Sequence, residues 1–246
     1  MSDIERRISP GWSRLVPRRP GNIAEVSTSR LPFLDRRQAG TELAASLGHH
    51  RNTDAVVLAV PRGGVVVAYQ VAVALNLPLD IIVARKIGAP NQPELAIGAV
   101  ASWGNHDIII DQDSVKYLHV PEHYIESEAE KQLIEVQRRL EVYRGSAEPP
   151  DVGGRRVILI DDGIATGYTI KAAAASLRNL NVSYLCLAVP VAPSDSLAAM
   201  EQYVDELVCL GTPDPFLAVG YWYVDFSQTS DEEVVDILSK ARKRQL

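Results

Sequence analysis

The amino-acid sequence predicts an α/β fold: an open, mostly parallel sheet covered by helices on both faces. Short runs rich in valine, isoleucine and leucine alternate with longer helical patterns along the chain, an order typical of βαβ units. Of the 246 residues, 46% are hydrophobic, which suffices for a large core without disulfides or structural metal ions. Since no apolar run reaches the ~20 residues of a membrane-spanning helix, we expect no membrane partner.

Strands are predicted where short β-branched runs are bounded by turn residues. Residues 54–60 are rich in valine and end at Pro61, and residues 79–84 end at a basic pair. The dipeptide Gly104-Asn105 predicts a hairpin between the two strands that flank it. The other strands are predicted at 95–102, 107–111, 156–160, 183–191 and 206–210.

Helices are predicted where apolar residues recur at every third or fourth position. The segment 121–144 shows this pattern over its full length, and the segment 36–50 shows it over four apolar residues. Residues 65–75 are predicted to be helical despite their valines, because the run is long for a strand and Asn76 and Pro78 end it. Further helices are predicted at 169–180, at 194–203 and after Ser230, which forms a capping box with Glu233.

The charge divides the chain into two parts. Residues 1–30 contain six arginines, three acidic residues and several prolines, whereas residues 31–246 have a net charge of -9 within a total of -6. We therefore predict a flexible, basic N-terminal arm at 1–30, more typical of a solvated extension than of a binding element. The acidic domain predicts no nucleic-acid partner, and two cysteines without a signal-peptide pattern predict a cytoplasmic protein.

The segment 157–169 contains the most informative pattern. Four apolar residues form a buried strand that ends in Asp161 and Asp162, and ligands of open α/β sheets bind beyond the carboxyl ends of the strands. The small-residue turn that follows, with the hydroxyls of Thr166 and Thr169 and a helix N-terminus, can bind a phosphate. Carboxylates beside a phosphate need hydroxyl donors or a cation, which predicts a sugar phosphate and Mg²⁺; the alternative is an ordinary turn with a capping aspartate.

This run resembles the PRPP-binding signature of the type I phosphoribosyltransferases: an apolar strand, two acidic residues, three variable residues, Thr-Gly, then Thr or Ser. The resemblance implies that family's fold, Mg²⁺ as cofactor, PRPP and a nucleobase-like acceptor as substrates, and a homodimer. It implies catalytic roles for Asp161 and Asp162 at the ribose hydroxyls. Tyr168 departs from the small residue usual at its position. By the same resemblance the 5-phosphate is held by Gly163, Ile164, Ala165, Thr166, Gly167 and Thr169.

A second loop, Pro61-Arg62-Gly63-Gly64, also lies between a predicted strand and a predicted helix. Alone it would be read as a turn, but beside the first motif it resembles the family's pyrophosphate loop, which often contains a strained peptide. Arg62 provides a fork for phosphate oxygens, and the glycines allow close approach. The resemblance also implies pyrophosphate contacts for Arg85 and Lys86, against the alternative of a solvated strand end. By the same resemblance, residues 87–120 supply a mobile loop over the site, within an insertion at 87–150 that also contains a hairpin and a helix.

Residues 211–229 resemble the small C-terminal hood of 6-oxopurine phosphoribosyltransferases. The resemblance implies base contacts for Phe216, Tyr221 and Trp222 and a position near the metal for Asp225, although a simple core cluster explains the aromatic residues equally well. Two departures leave the base open. Ala165 stands where those enzymes have an acid–base aspartate, and Val189-Pro190 stands where they have a base-reading lysine.

From about Leu31 onward, the chain also resembles a group of bacterial and archaeal phosphoribosyltransferases predicted from sequence, whose substrates are not established. The shared features include Phe33-Leu34-Asp35-Arg36 and Asp225-Phe226. We interpret Asp35 and Arg36 as capping residues of the first helix. A non-catalytic sensor of PRPP or a nucleotide is the alternative function, because it would need the same PRPP site.

The histidines and cysteines give weaker patterns. His119 and His123 are four residues apart, but Pro121 between them argues against a shared helical face and against a zinc site. His49 and His50 end a predicted helix, where a positive charge complements the helix dipole. Cys186 is interpreted as a packing residue of a buried strand.

Overall fold

The structure of the protein, a computed structural model, contains two β-sheets with helices packed against them. It describes residues 8–9, 22–24, 31–103, 105–145 and 149–244. The strands are β1 (Ile8–Ser9), β2 (Asn22–Ala24), β3 (Val56–Ala59), β4 (Leu79–Ile81), β5 (Val83–Ala89), β6 (Gln92–Trp103), β7 (Asn105–Ile110), β8 (Arg156–Ile160), β9 (Tyr184–Val191) and β10 (Glu206–Gly211). The α-helices are α1 (Arg36–Ser46), α2 (Gly63–Leu75), α3 (Gln112–Tyr117), α4 (Glu122–Arg144), α5 (Tyr168–Asn179), α6 (Ser194–Met200) and α7 (Asp231–Lys243).

The larger sheet has six strands in the order β2-β10-β9-β8-β3-β4. Each neighbouring pair in it is parallel, and Ile158 at its centre pairs with Val57 on one side and Cys186 on the other. The strand order reverses between β3 and β8, so that the carboxyl ends of these two strands meet at a switch point. The predicted α/β class with a mostly parallel sheet is confirmed.

Alternate residues of β8 belong to two different cores. Ile158 and Ile160 pack with residues of α1, α2 and α7, whereas Val157 and Leu159 pack with residues of α5 and α6. A strand buried on both faces needs apolar side chains at every position, and this explains the continuous run at 157–160. Helices therefore cover both faces of the sheet, as the sequence predicts.

The smaller sheet has the order β1-β7-β6-β5, with β5, β6 and β7 antiparallel and β1 parallel to β7. The predicted hairpin is confirmed with longer strands, and Val100 pairs with Ile108 across it. The turn residue Gly104 lies outside the described residues. On one face the sheet packs against α4 and on the other against α5.

The single strand predicted at 79–84 was wrong. The chain forms β4 in the parallel sheet and then β5 in the antiparallel sheet, and β5 continues through Arg85 and Lys86 to Ala89. The basic pair does not end the strand because β6 supplies ladder partners for both residues, and buried residues follow from Ile87 to Ala89.

The structure describes, in whole or in part, the three segments that the predicted domain division sets apart. Of residues 1–30, the structure describes β1 and β2, which pair with β7 and β10; the rest of the predicted arm lies outside the described residues. The segment 87–150 contains β6, β7, α3 and α4, and the segment 211–229 contains a single 3₁₀ turn at Val219–Trp222. Among the described helices, none combines the length and apolar character that crossing a membrane requires.

Candidate active site

Two loops meet where the carboxyl ends of β3 and β8 lie side by side. Asp161 and Asp162 directly follow β8, and the loop from Pro61 to Gly64 follows β3. The Val60 amide donates a hydrogen bond to the Ile160 carbonyl at 2.9 Å, just before the two loops diverge. The sheet thus brings together two motifs that are about 100 residues apart in the sequence.

Gly63 and Gly64 lie directly against the two carboxylates. A Cβ atom on Gly63 would lie 1.9 Å from Asp162 Oδ2, and one on Gly64 would lie 2.9 Å from the Asp161 Cα atom. The structure therefore leaves no room for a side chain at either position. The Pro61–Arg62 peptide bond that precedes the glycines is cis.

Arg36 of α1 contacts the second carboxylate. Its Nε donates to Asp162 Oδ2 at 2.6 Å, its Nη1 donates to the Ser227 carbonyl at 2.9 Å, and its guanidinium lies 3.8 Å from the centre of the Phe226 ring. The capping role predicted for Asp35 is confirmed by its contact with the Gln38 amide at 2.7 Å. The capping role predicted for Arg36 was wrong, because its side chain turns from α1 towards Asp162.

Burial dominates the electrostatics of the carboxylate pair. It raises the pKa of Asp161 well above its usual range, and the neighbouring charge of Asp162 adds to this effect. Burial also raises the pKa of Asp162, although the Arg36 guanidinium opposes that shift. Asp161 Oδ1 accepts a hydrogen bond from the Asp162 amide at 2.8 Å. The charged forms of both carboxyl groups are therefore disfavoured in the free site, and a bound cation or hydroxyl donors would stabilise them.

The loop between Asp162 and α5 has the features of an anion site. Gly167 adopts a positive φ of 75° and caps α5, and no described side chain caps this helix N-terminus. Ala165 and Thr166 are exposed, and Thr169 lies in the first turn of the helix. Exposed amides at an uncapped helix N-terminus can bind a phosphate.

Two residues of the same loop anchor it to the protein. The Ile164 amide donates to the Val191 carbonyl at 2.9 Å, and its side chain is buried in the core below α5. A Cβ atom on Gly163 would lie 2.5 Å from Val219 Cγ1. These contacts use the Ile164 amide inside the protein, so its predicted contribution to phosphate binding is an indirect one.

The structure places the three predicted pyrophosphate contacts in different surroundings. Arg62 remains at the site, where its Nη1 lies 3.6 Å from Asp231 Oδ1 at the start of α7. Arg85 is directed away from the site, because its Nε donates to Gln132 Oε1 of α4 at 2.6 Å. Lys86 lies on the opposite face of β5, which packs against α5.

The aromatic residues of the hood fall into two groups. Tyr223 is buried, and its hydroxyl donates to the Asp162 carbonyl at 2.5 Å, beside the rings of Phe33 and Phe226. Phe216 and Trp222 form a separate pair with ring centroids 6.4 Å apart. Tyr223 was not among the predicted site residues, yet it fixes the loop that contains Asp162. Burial raises its pKa far above the usual range, which keeps the hydroxyl protonated as a donor.

Asp225 and Tyr221 lie at the surface of the hood. The Asp225 carboxylate accepts hydrogen bonds from the amide and the hydroxyl of Ser227, and these bonds hold its pKa below the usual range. It lines a polar cleft of about 240 Å³ together with Arg36. The Tyr221 residue is 68% exposed. Neither residue contacts Asp161 or Asp162 through a described hydrogen bond.

The parallel sheet, its switch point and the paired carboxylates together define the type I phosphoribosyltransferase class of α/β proteins. The chain belongs to the phosphoribosyl transferase domain family, whose model matches residues 34–223. The matched range begins before α1 and ends at Tyr223, so it contains both loops and Arg36.

Known relatives are similar over most of this chain. Two Mycobacterium tuberculosis proteins, from strains CDC 1551 / Oshkosh and ATCC 25618 / H37Rv, are each 44% identical over 211 residues and are provisionally named phosphoribosyl transferases. The match covers 86% of this chain and 47% of each relative, so the chain spans about half their length. The crystal structure of TT1426 from Thermus thermophilus is 38% identical, with a TM-score of 0.76, and the match covers 85% of this chain and 99% of that one.

Proposed function

We propose that the protein transfers the 5-phosphoribosyl group of PRPP to a nitrogenous base and releases pyrophosphate. One observation supports this most: two half-buried carboxylates lie between a glycine loop and a helix N-terminus that has no side-chain cap. A ligand that fits this arrangement has hydroxyl groups between two phosphate groups, and PRPP is such a ligand.

The carboxylates would orient the ribose. Asp161 and Asp162 accept hydrogen bonds from its two hydroxyls, while the loop from Ala165 to Thr169 binds the 5-phosphate. Their negative charge also stabilises the positive charge that develops on the ribose ring as the bond to pyrophosphate breaks. Arg36 and Tyr223 hold Asp162 in position through its carboxylate and its carbonyl.

We propose Mg²⁺ as the cofactor because the donor set fits it. Asp161 and Asp162 present half-buried carboxylate oxygens, and Mg²⁺ prefers oxygen ligands. Bound with PRPP, the ion supplies neutralising charge for the leaving pyrophosphate. The exposed carboxylate of Asp225 remains a predicted outer contact.

The remaining residues would act on the leaving group, which is pyrophosphate, and on the entering group, which is the base. The backbone of Gly63 and Gly64 and the side chain of Arg62 stabilise pyrophosphate as it departs, and a pyrophosphate contact by Lys86 stays a prediction from the family resemblance. The base lies under the hood, where the rings of Phe216 and Trp222 offer a stacking surface. A cytoplasmic homodimer remains our prediction for the assembly.

Calorimetric titration of PRPP with Mg²⁺ tests the binding site. We expect Asp161→Asn and Asp162→Asn to weaken PRPP binding by about 10- to 100-fold, since each loses a hydrogen bond to a charged group. The matched control is Asp113→Asn, an exposed position in the first turn of α3, which should bind as the parent does. Equal binding by all three variants would contradict the proposed site.

Pyrophosphate release with a panel of purines, pyrimidines and their analogues tests the reaction. Release that depends on one base identifies the enzyme and its acceptor. PRPP binding without release for any base would instead support the alternative, a sensor of PRPP or nucleotides. This panel separates the two functions because both need the same PRPP site.

A further inference from the structure

A cluster of two histidines and a glutamate lies towards the amino ends of the parallel strands. His49 and His50 form the 3₁₀ turn after α1, and Glu206 is the first residue of β10. His49 Nε2 lies 2.9 Å from Glu206 Oε1, and His50 Nε2 lies 2.9 Å from Glu206 Oε2. Two consecutive residues therefore direct their rings onto the two oxygens of one carboxylate.

The cluster is largely enclosed by the protein. His50 is 1% exposed and Glu206 is 5% exposed, whereas the His49 side chain is about half exposed and gives access from solvent. The Tyr184 hydroxyl donates to Glu206 Oε2 at 3.1 Å, and the Cys186 thiol contacts the same carboxylate. These contacts fix the position of the carboxylate between the two imidazoles.

The surroundings of Glu206 favour a bound cation. Its two carboxylate oxygens lie in the protein interior, each 2.9 Å from an imidazole nitrogen. A buried carboxylate that stays charged needs a positive partner. A cation bound between the two imidazoles and the carboxylate would supply that charge.

The geometry suits a metal ion of a particular kind. The three ligand atoms lie within 4.8 Å of one another, and ligands around a tetrahedral zinc ion lie ~2.0–2.1 Å from it. Small side-chain movements would therefore bring all three atoms into its coordination shell. Imidazole nitrogens favour zinc and similar transition metals over Mg²⁺, which selects oxygen ligands.

We propose that His49, His50 and Glu206 bind a zinc(II) ion at a site separate from the proposed PRPP site. Each imidazole would bind through Nε2 and keep its proton on Nδ1, with any second proton released to solvent. Three protein ligands leave one position for water. The ion joins the turn after α1 to the start of β10 and so stabilises the folded chain.

Zinc titration in competition with a chromophoric chelator tests this site, using the 246-residue chain freed of any affinity tag and metal. We expect one zinc ion per chain and a rise of about 5 °C in the unfolding midpoint with excess zinc. His49→Ala and Glu206→Gln should bind zinc at least about 100-fold more weakly and lose that rise. His49 is half exposed and glutamine matches glutamate in shape, so both variants keep the apo fold, which their zinc-free melting curves check.

Two controls separate this site from the other candidates. His123→Ala removes an exposed histidine of α4, and Asp161→Asn removes a carboxylate of the proposed PRPP site; both should still bind one zinc ion. The proposal is overturned if the parent protein binds no zinc at micromolar free concentration. It is also overturned if His49→Ala and Glu206→Gln bind as the parent does, or if Asp161→Asn abolishes binding.

Discussion

Arg36 shows how one side chain can organise the carboxylate pair. It contacts a carboxylate, a carbonyl and an aromatic ring at once, through Asp162, Ser227 and Phe226. The ion pair joins residues that are 126 positions apart. The guanidinium is the cation that partly compensates a pair of desolvated acids, so it supports both stability and ligand binding.

Replacement of Arg36 by alanine should reduce both properties. We expect a loss of about 2–3 kcal/mol in the free energy of unfolding, because Asp162 is then left buried without its partner. PRPP should bind at least about 10-fold more weakly, because the carboxylate is no longer held in position. Urea unfolding and calorimetry measure the two effects.

Arg37→Ala is the matched control for this prediction. Arg37 is the neighbouring residue of α1, but its side chain is 69% exposed and lies 4.0 Å from an exposed glutamate. An exposed ion pair contributes little, so this variant should resemble the parent in both measurements. Similar losses in the two variants would show that Arg36 has no special role.

At the scale of elements, the sequence predicts what local patterns determine. The bounds of β8 were predicted residue for residue, and α4 differs from its prediction by one residue. Continuous apolar residues and helical periodicity are local properties. The division of 79–89 into β4 and β5 was missed because it depends on pairing with β6, which local pattern does not reveal.

The sequence predicted the residues of the site about as well as it predicted the strands and helices. The two loops were identified because their residue types and order are distinctive, and the sheet brings them together. Arg36 and Tyr223 were missed because their contacts to Asp162 span long sequence separations. Arg85 was assigned to the site from the family resemblance, yet strand alternation directs it to Gln132.

A substitution at the start of α5 tests the role of this helix in stability and in PRPP binding. Gly167→Ala places a side chain at a φ of 75° and 3.3 Å from Met200 Cε, and the left-handed backbone costs about 1–2 kcal/mol. We expect that loss of stability together with weaker binding of PRPP, because the amides of the phosphate loop are displaced. Thermal unfolding and PRPP titration measure the two effects.

Gly154→Ala is the control variant, and it separates the effect of backbone strain on stability from the effect on PRPP binding. Gly154 also has a positive φ, of 68°, and a Cβ atom there meets nothing within 4 Å. It precedes β8 and lies at the other end of that strand from the carboxylates. This variant should lose a similar stability and bind PRPP as the parent does. Equal weakening of PRPP binding in both variants would argue against a phosphate site at α5.

At the scale of the whole molecule, a buried ion pair joins the larger sheet to two helices, α4 and α7. Arg144 at the end of α4 lies 3.3 Å from Asp80 of β4 and donates to the Ile81 carbonyl at 3.0 Å. Its own carbonyl accepts from Arg242 of α7. Burial raises the pKa of Asp80, and Arg144 opposes that shift.

Replacing Arg144 with methionine should destabilise the protein by about 3 kcal/mol at pH 8. Without the guanidinium the pKa of Asp80 rises further in the folded state, so the folded state binds the proton more readily than the unfolded state does. Stability then increases as the pH falls between the two pKa values. The loss should therefore be smaller at pH 5, as measured by urea unfolding at both pH values.

The control for this variant lies on the same helix. Arg138→Met removes a side chain that is 52% exposed and pairs only with Glu135 among the described salt bridges. We expect little change at either pH. A loss in Arg144→Met that is the same at pH 5 and pH 8 would contradict the assigned role of Asp80.

The alternation along β8 also limits how the gene can change over evolutionary time. Ile158 and Ile160 face one core, Val157 and Leu159 face the other, and Asp161 follows at once. Gain or loss of one codon within the strand would exchange these two sets and turn the carboxylate away from Gly64. Substitutions in β8 can therefore accumulate while its length stays constant.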